Sequence, residues 1–354
     1  MPGQIIAPKN LCILRLSAIG DVCHAVAMVQ AIQRQYPDCK ITWVIGKVEA
    51  MLLKGLPGVR FVVFDKGAGL AGYKALRQTL NGEEFDVLLH MQIAFRASLA
   101  SLMIKAKVKV GFDSERAKEG QWLFTNKKIA PQAQPHVLDG FLGFAEAIGV
   151  PIEKPEWHMP INDEDQLWVS EQLQTNKPIA IICPAASKAE RNWHPTGYGE
   201  VAHKLVQQGF SVVICGGPTE LEKKLAAMIQ ANCPQELINL VGQTTLPQML
   251  ACLNIAHLVI APDTGPAHMA VTVSTPVVGL YAHSNPMRTG PYTYQAYVVN
   301  HYKEAVQQQH HKPVAKLPWG TRAKGEGLMD NISIDQVMDK VRQLIADHYP
   351  ELTQ

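Results

Sequence analysis

At 354 residues, 47% of them hydrophobic and 18% charged, the chain has room for more than one domain and is far too apolar for a disordered polymer. A net charge of +2 gives no global attraction for nucleic acid, and Arg15, Asp21 and similar residues cut every apolar stretch short of the ~18–20 residues of a membrane-spanning helix. Seven cysteines without paired spacing, and a start lacking the basic and apolar regions of a secretory signal, lead us to expect a cytoplasmic protein.

Short apolar runs alternate with amphipathic ones. Residues 11–16 read as a buried strand and 22–35 as a helix that stops before Tyr36-Pro37. Further strands are predicted at 41–45, 61–64 and 86–89, each followed by a helix-like segment. Pro151, Pro155 and Pro160 interrupt the pattern, which restarts with strands at 178–183 and 211–215, helices at 198–208 and 220–230, and strands at 258–261 and 276–280. Strands apolar on both faces and separated by helices imply parallel sheets covered on both sides, here two doubly wound domains of α/β class. Residues 301–325, with a run of glutamines, two histidines and several lysines, are expected to form a mobile surface excursion. Ser333 and Gln336 have capping-box spacing, and Val337, Val341, Leu344 and Ile345 line one face of a last helix.

Ligands of such sheets bind beyond the carboxyl ends of the strands, so the loops there hold the candidate chemistry. Asp263-Thr264-Gly265-Pro266-Ala267-His268 ends a strand and opens a helix, whose first N–H groups favour an anion such as a diphosphate. A simple helix cap with a first-turn proline accounts for the same residues equally well. Ser17-Ala18-Ile19-Gly20-Asp21 is the matching loop of the first half, where Asp21 is placed to take a proton from a hydroxyl; helix capping is again the local alternative. In Cys215-Gly216-Gly217-Pro218-Thr219-Glu220, Glu220 can accept bonds from ribose hydroxyls or merely favour the helix dipole. Lys188 and Arg191, after the strand at 178–183, offer fixed positive charge to a departing phosphate, or are ordinary solvated cations. Between 96 and 128 eight basic residues, among them Arg96, Arg116 and Lys118, stand against three acidic ones, a local excess that suits an anionic partner or a solvated face.

Two patterns are set aside. Gly67-Ala68-Gly69-Leu70-Ala71-Gly72 has dinucleotide-site spacing but follows the third strand rather than the first, without an acidic residue placed for a ribose. Thirteen histidines and seven cysteines form no C-x-x-C or H-E-x-x-H cluster, so no metal site is expected.

Two stretches carry a resemblance. The run from Leu14 through Ser17, Gly20 and Asp21 to His24 resembles the opening strand and S-x-x-G-D-x-x-H loop of glycosyltransferase family 9, the bacterial ADP-heptose:lipopolysaccharide heptosyltransferases. The run from Ala261 to Ala270 resembles the D-[ST]-G-x-x-H-x-A signature of that family, and 216–220 agree with its G-x-P-x-E turn. The resemblance extends from about residue 10 to the end of the chain. It implies a GT-B fold: a 1–160 acceptor-binding domain completed by a returning C-terminal helix at 333–354, and a 161–332 nucleotide-sugar-binding domain facing it across a cleft. The implied reaction is inverting, metal-independent heptosyl transfer, with no cofactor, from ADP-heptose to Kdo-lipid A, with or without phosphate on the Kdo. The acceptor is lipid-anchored, so transient contact with the inner-membrane surface is implied too.

Carried over by position, Asp21 is the general base, with Ser17, Gly20, Arg96, Arg116 and Lys118 on the acceptor side. Ser187, Lys188 and Arg191 lie near the donor phosphates and Glu220 at the ribose, with Asp263 at the sugar and Thr264, Gly265 and His268 at the diphosphate. One departure stands out. Many members carry a lysine where this chain has Asn192, so Arg191 or Lys188 is expected to supply that charge. The competing readings are transfer to a later core sugar, a nucleotide-sugar binder without activity, and a nicotinamide-dependent oxidoreductase using Gly67 to Gly72.

Overall fold

The structure, a computed structural model, describes residues 7–353. The chain divides into two compact units between Pro160 and Ile161, where the proline-rich stretch ends. The first holds six strands: β1 (Asn10–Leu14), β2 (Lys40–Ile45), β3 (Val59–Val63), β4 (Phe85–His90), β5 (Ala106–Gly111) and β6 (Lys127–Lys128), ordered β3-β2-β1-β4-β5-β6. Every pairing is parallel, with Leu14 beside Val44 on one side and His90 on the other. The second holds β7 (Ile179–Ile182), β8 (Ser211–Ile214), β9 (Ile238–Asn239), β10 (Leu258–Pro262), β11 (Val277–Tyr281) and β12 (Val298–Asn300), ordered β12-β11-β10-β7-β8-β9 and also parallel. Read from its own first strand, each sheet has the same order, the doubly wound 3-2-1-4-5-6.

The central strands β7, β10 and β11 are buried at every position, as parallel strands covered by helices on both faces must be. In such a sheet the connections leave in opposite directions at the switch point, β1/β4 in the first unit and β7/β10 in the second. The crevice between those diverging loops is where the topology puts a ligand. Both of the motif-bearing loops, after β1 and after β10, start there.

The helix Ile19–Gln35 starts three residues earlier than the apolar periodicity indicated and buries Gly20, Val22, Cys23 and most residues beyond. At the other end of the chain the capping box forms as expected: Ser333 Oγ accepts from the Gln336 N–H at 3.2 Å and Gln336 Oε1 from the Ser333 N–H at 2.9 Å. The helix it opens, Ile334–His348, buries Val337, Val341, Leu344 and Ile345, each worth roughly 1.5–3 kcal/mol of apolar burial. The helix packs against the helix Pro195–Gln207 and strands β11 and β12. Residues 301–325 are not a featureless excursion. They contain the helix Tyr302–His310, whose Tyr302, Ala305 and Val306 bury themselves with Ala323 in a small core of their own. The glutamine-rich composition hid it, because only one narrow face of that helix is apolar.

Candidate functional site

In the first unit, the loop after β1 is held by its neighbour after β4: the Leu16 N–H donates to Gln92 Oε1 at 3.0 Å. Arg15, at the strand's end, is largely buried. Its guanidinium donates to the Met91 carbonyl at 2.5 Å, lies 5.1 Å from the centre of the Phe141 ring and pairs with the Asp21 carboxylate. Asp21 Oδ2 receives both that guanidinium and the Ala18 N–H, at 3.1 Å in the latter case. No described residue donates to Oδ1. The carboxylate is thus fixed through one oxygen and open through the other, at the carboxyl end of a central strand. Ser17 is half-buried on the same loop, Gly20 is buried in the helix start, and the His24 ring packs edge-on to His136 at 5.2 Å.

The basic residues counted between 96 and 128 do not form one face. Lys107 pairs with Asp86 at 2.9 Å, Lys109 Nζ donates to the Ser101 carbonyl, and Lys127 Nζ to the Ala147 carbonyl. Arg116 is committed to Asp113, Nε to Oδ2 at 2.5 Å, over the Phe112 ring. Arg96 and Lys118 remain exposed. Sequence reasoning missed Lys66, at the end of β3. Burial, together with the charges of Arg96 and Arg15, pushes its ammonium below the ordinary lysine value, although Glu49 at 3.8 Å opposes the shift. Lys66, Arg96 and Arg15 thus lie within electrostatic range of one another, with Lys66 paired to Glu49 and Arg15 to Asp21. The signal for Lys66 was in the sequence, but it was read only as the lead-in to the glycine run. That run lies after edge strand β3, away from the switch point, with Gly67 N–H turned onto Asp65 Oδ1 at 2.7 Å.

In the second unit the loops after β7, β10 and β11 meet around Asp263, which is 7% exposed. Ser284 Oγ donates to its Oδ2 at 2.5 Å and Thr289 Oγ1 at 3.3 Å, Arg191 Nη1 lies 3.6 Å from Oδ2, and His268 Nε2 lies 3.6 Å from Oδ1. Burial works to raise this carboxyl, but the His268 hydrogen bond, the Arg191 and His268 charges and the Ser284 hydroxyl outweigh it and hold it at about 2. Arg191 also donates to the Asp263 carbonyl at 3.0 Å, so its charge is largely matched within the site. Thr264 Oγ1 donates to the Ala185 carbonyl at 3.1 Å, and Asn192 Oδ1 accepts the Ala186 N–H at 2.7 Å. The first bond ties the loop after β7 to the residue that precedes the helix Gly265–Thr272, and the second closes the loop after β7 on itself. Ser187 and Lys188 are exposed on that loop.

Glu220 is not drawn into this cluster. Its carboxylate is 89% exposed and pairs with Lys223 at 2.9 Å. Glu222 turns inward instead, accepting the Gly217 N–H at 2.8 Å and the Thr219 hydroxyl at 2.6 Å, and so closes the glycine turn after β8. Ser284 and Thr289 were missed because neither belongs to a strand-to-helix turn near a recognised motif. Among the described residues, no group of three or more His, Cys, Asp or Glu is placed to hold a metal ion.

Two doubly wound sheets, one presenting a tethered carboxylate and the other a cationic loop beside a helix N-terminus, define an α/β transferase of the GT-B-like class. More particularly, the chain belongs to glycosyltransferase family 9 (heptosyltransferase), which matches residues 73–318. It is 45% identical over 344 residues to the lipopolysaccharide core heptosyltransferase OpsX of Haemophilus influenzae, covering 97% of this chain and 99% of that one. It is 23% identical to lipopolysaccharide heptosyltransferase 3 of Escherichia coli, over 77% of this chain and 83% of the relative. The fold is shared with a family 9 glycosyltransferase of Veillonella parvula at a TM-score of 0.79, 20% identity, 96% of this chain and 97% of that chain. It is shared too with Escherichia coli heptosyltransferase WaaC with ADP, at 0.73, 19% identity, 95% and 99%. The chain is a glycosyltransferase.

Proposed function

We propose that the chain transfers heptose from ADP-heptose to the lipopolysaccharide inner core, with Kdo as acceptor, by a metal-independent displacement that inverts the anomeric centre. The observation that carries the reading is the Asp21 carboxylate, anchored through Oδ2 and open at Oδ1. In the reaction the acceptor oxygen bonds to the anomeric carbon, its proton passes to Asp21 Oδ1, and the carbon–oxygen bond to the donor's β-phosphate breaks with its electron pair on the phosphate. The name of the 45% identical relative and the ADP bound by the Escherichia coli neighbour support the donor and the pathway. The electrostatic proximity of Lys66, Arg96 and Arg15 favours an acid sugar as acceptor over a neutral later core sugar.

The acceptor's lipid anchor would bring the first unit to the cytoplasmic face of the inner membrane. Phe95, Trp122 and Leu123 stand more than half exposed, and the Phe95 ring packs on Phe124 at 6.2 Å, with Arg96 and Lys118 close in sequence. Exposed aromatic and aliphatic side chains with nearby basic ones suit an anionic bilayer surface.

The test is ADP release from ADP-heptose, with Kdo-lipid A, phosphorylated Kdo-lipid A or a heptosylated core as acceptor. Release that depends on a Kdo acceptor and falls about 10²–10⁴-fold in Asp21→Asn, with ADP binding retained, is expected of a lost general base. Full activity in Asp21→Asn removes the base assignment, and release only with the heptosylated core moves the enzyme to a later step.

A further inference from the structure

One buried amide of the first unit has no role in the reading so far. The register between β4 and β5 ends with Leu89 beside Val110, and past that point the side chain of Gln121 takes over from the ladder. Gln121 is 0% exposed and opens the short 3-10 turn Gln121–Leu123. Its Oε1 accepts the Phe112 N–H at 3.1 Å, and its Nε2 donates to the His90 carbonyl at 2.9 Å and to the Gln92 carbonyl at 3.2 Å. The oxygen faces a donor and the nitrogen faces acceptors, so the partners themselves fix which way round the amide sits.

The tripeptide that Gln121 clamps, His90-Met91-Gln92, carries two supports of the Asp21 loop. The Met91 carbonyl, between the two carbonyls held by Gln121, accepts from the Arg15 guanidinium at 2.5 Å, and Arg15 in turn pairs with Asp21 Oδ2. The Gln92 side chain accepts the Leu16 N–H at 3.0 Å and the Ser17 N–H at 3.4 Å through the same oxygen. The next N–H along the chain, that of Ala18, is the one that donates to Asp21 Oδ2. On its other side the loop is tied to the β2 end by its carbonyls: Arg15 C=O accepts from Trp43 Nε1 and Leu16 C=O from the Gly46 N–H, each at 3.1 Å. The Leu16 and Ser17 N–H groups turn only to Gln92. Leu16 is 2% exposed, so without that oxygen its N–H is stranded and the backbone must shift to satisfy it.

We propose that Gln121 and Gln92 are positioning residues for the transfer reaction. Gln121 fixes the backbone of residues 90–92, and Gln92 passes that position to the loop N–H groups, so that Asp21 Oδ1 is aimed at the acceptor hydroxyl. The inference rests on Asp21 as the general base, assigned under the proposed function. Neither glutamine is asked to touch substrate, so both act on the geometry of proton removal, which tells in kcat rather than in KM. An amide suits the task because it adds no charge beside the base, where a second carboxylate would raise the Asp21 pKa.

Steady-state kinetics of the full chain with ADP-heptose and the Kdo acceptor test it. Gln92→Met keeps the length of the side chain and loses its acceptor; kcat is expected to fall about 10–100-fold, with both KM values within about twofold of wild type. Gln121→Met, checked for folding by its urea midpoint, is expected to lower kcat in the same way. Gln92→Glu restores an acceptor at the same reach and should recover much of kcat at high pH. Its pH–kcat profile should have the acid limb displaced upward, because a carboxylate then stands near that of Asp21. Added to Asp21→Asn, Gln92→Met is expected to cause no further loss, since its effect passes through the base. Wild-type kcat in folded Gln92→Met overturns the proposal, and so does a loss confined to KM or a loss that multiplies in the double variant. Should both Met variants fail to fold, an unmoved acid limb in Gln92→Glu overturns it alone. Full activity in Asp21→Asn is the separate result that overturns the base assignment itself.

Discussion

At the residue scale the first unit turns on a pair, Arg15 and Asp21. A buried guanidinium that has lost its water is held by a carbonyl, a ring face and one carboxylate oxygen, and in return it fixes the direction of the other oxygen. Removing the cation leaves Asp21 held by the Ala18 N–H and takes the guanidinium from the Phe141 ring. We expect Arg15→Met to lower kcat by about 10–100-fold with acceptor KM little changed, since orientation of a proton acceptor acts in the transition state rather than in binding. Arg15→Lys should recover part of it; equal kcat in wild type and Arg15→Met would show that Asp21 needs no such anchor. In the second unit Asp263 sets a different balance. Its carboxyl sits at about 2 against an ordinary 3.8, so the stabilisation is complete above the ordinary value and is lost as pH falls through about 2. Asp263→Asn strands Arg191 without its counter-charge, for which a loss of about 3–5 kcal/mol in urea unfolding at neutral pH is expected. Below about pH 2 the gap between mutant and wild type should narrow.

At the element scale, β4 carries a second titrating group. His90 is fully buried, with Nε2 3.2 Å from Ser98 Oγ, and Gln121 Nε2 donating to its carbonyl at 2.9 Å. Burial, aided by the Lys109 charge, pushes the imidazole down to about 4 from 6.5. The unfolded chain therefore binds this proton first, and the first unit should lose stability as pH drops from 6.5 to about 4, by up to roughly 3 kcal/mol, with no further change from this group below that. In His90→Gln that slope should flatten; an unaltered slope would place the titration elsewhere. The strands and the capped last helix were readable because both signals are local: a short apolar run and a cap three residues from its partner. Strands β5, β6, β9 and β12 were not, since they are short or lie toward the sheet edges, with alternating or polar residues. The second-unit site was legible in Asp263 and Thr264, whose motif lies in one stretch, and in Arg191, from a separate strand-end loop. Ser284 and Thr289 follow another strand, and only the parallel pairing of β10 with β11 brings them to Asp263. Glu222 shows the opposite limit. Glu220 and Glu222 are two residues apart and identical in type, and only the closure of the glycine turn decides which one points inward.

At the scale of the whole molecule, two units with separate cores offer two separable responses. If the second unit holds the donor nucleotide as proposed, ADP should raise that unit's unfolding free energy by about 2.7 kcal/mol at a hundred times its Kd and leave the first unit's transition where it was. Hydrogen exchange followed in β7–β11 and in β1–β5 distinguishes the two; equal protection of both sheets would mean that the units unfold as one. The exposed Phe95, Trp122 and Leu123 belong to the first unit alone. Replacing Trp122 and Leu123 by Ser is expected to weaken sedimentation with phosphatidylglycerol vesicles about tenfold without altering ADP affinity. Unchanged vesicle binding in that variant would move membrane contact to another surface.

The repetition of one strand order in both halves has a consequence for inheritance. Each half is a complete doubly wound sheet with its own switch point, and the chain passes from one to the other only at Pro160–Ile161. A crossover between related genes at that point would exchange one whole sheet and break no strand pairing in either. The carboxylate loop and the cationic loop can therefore be reshuffled as intact cassettes, so a lineage can alter the half that presents the carboxylate while inheriting the half that presents the cations unchanged.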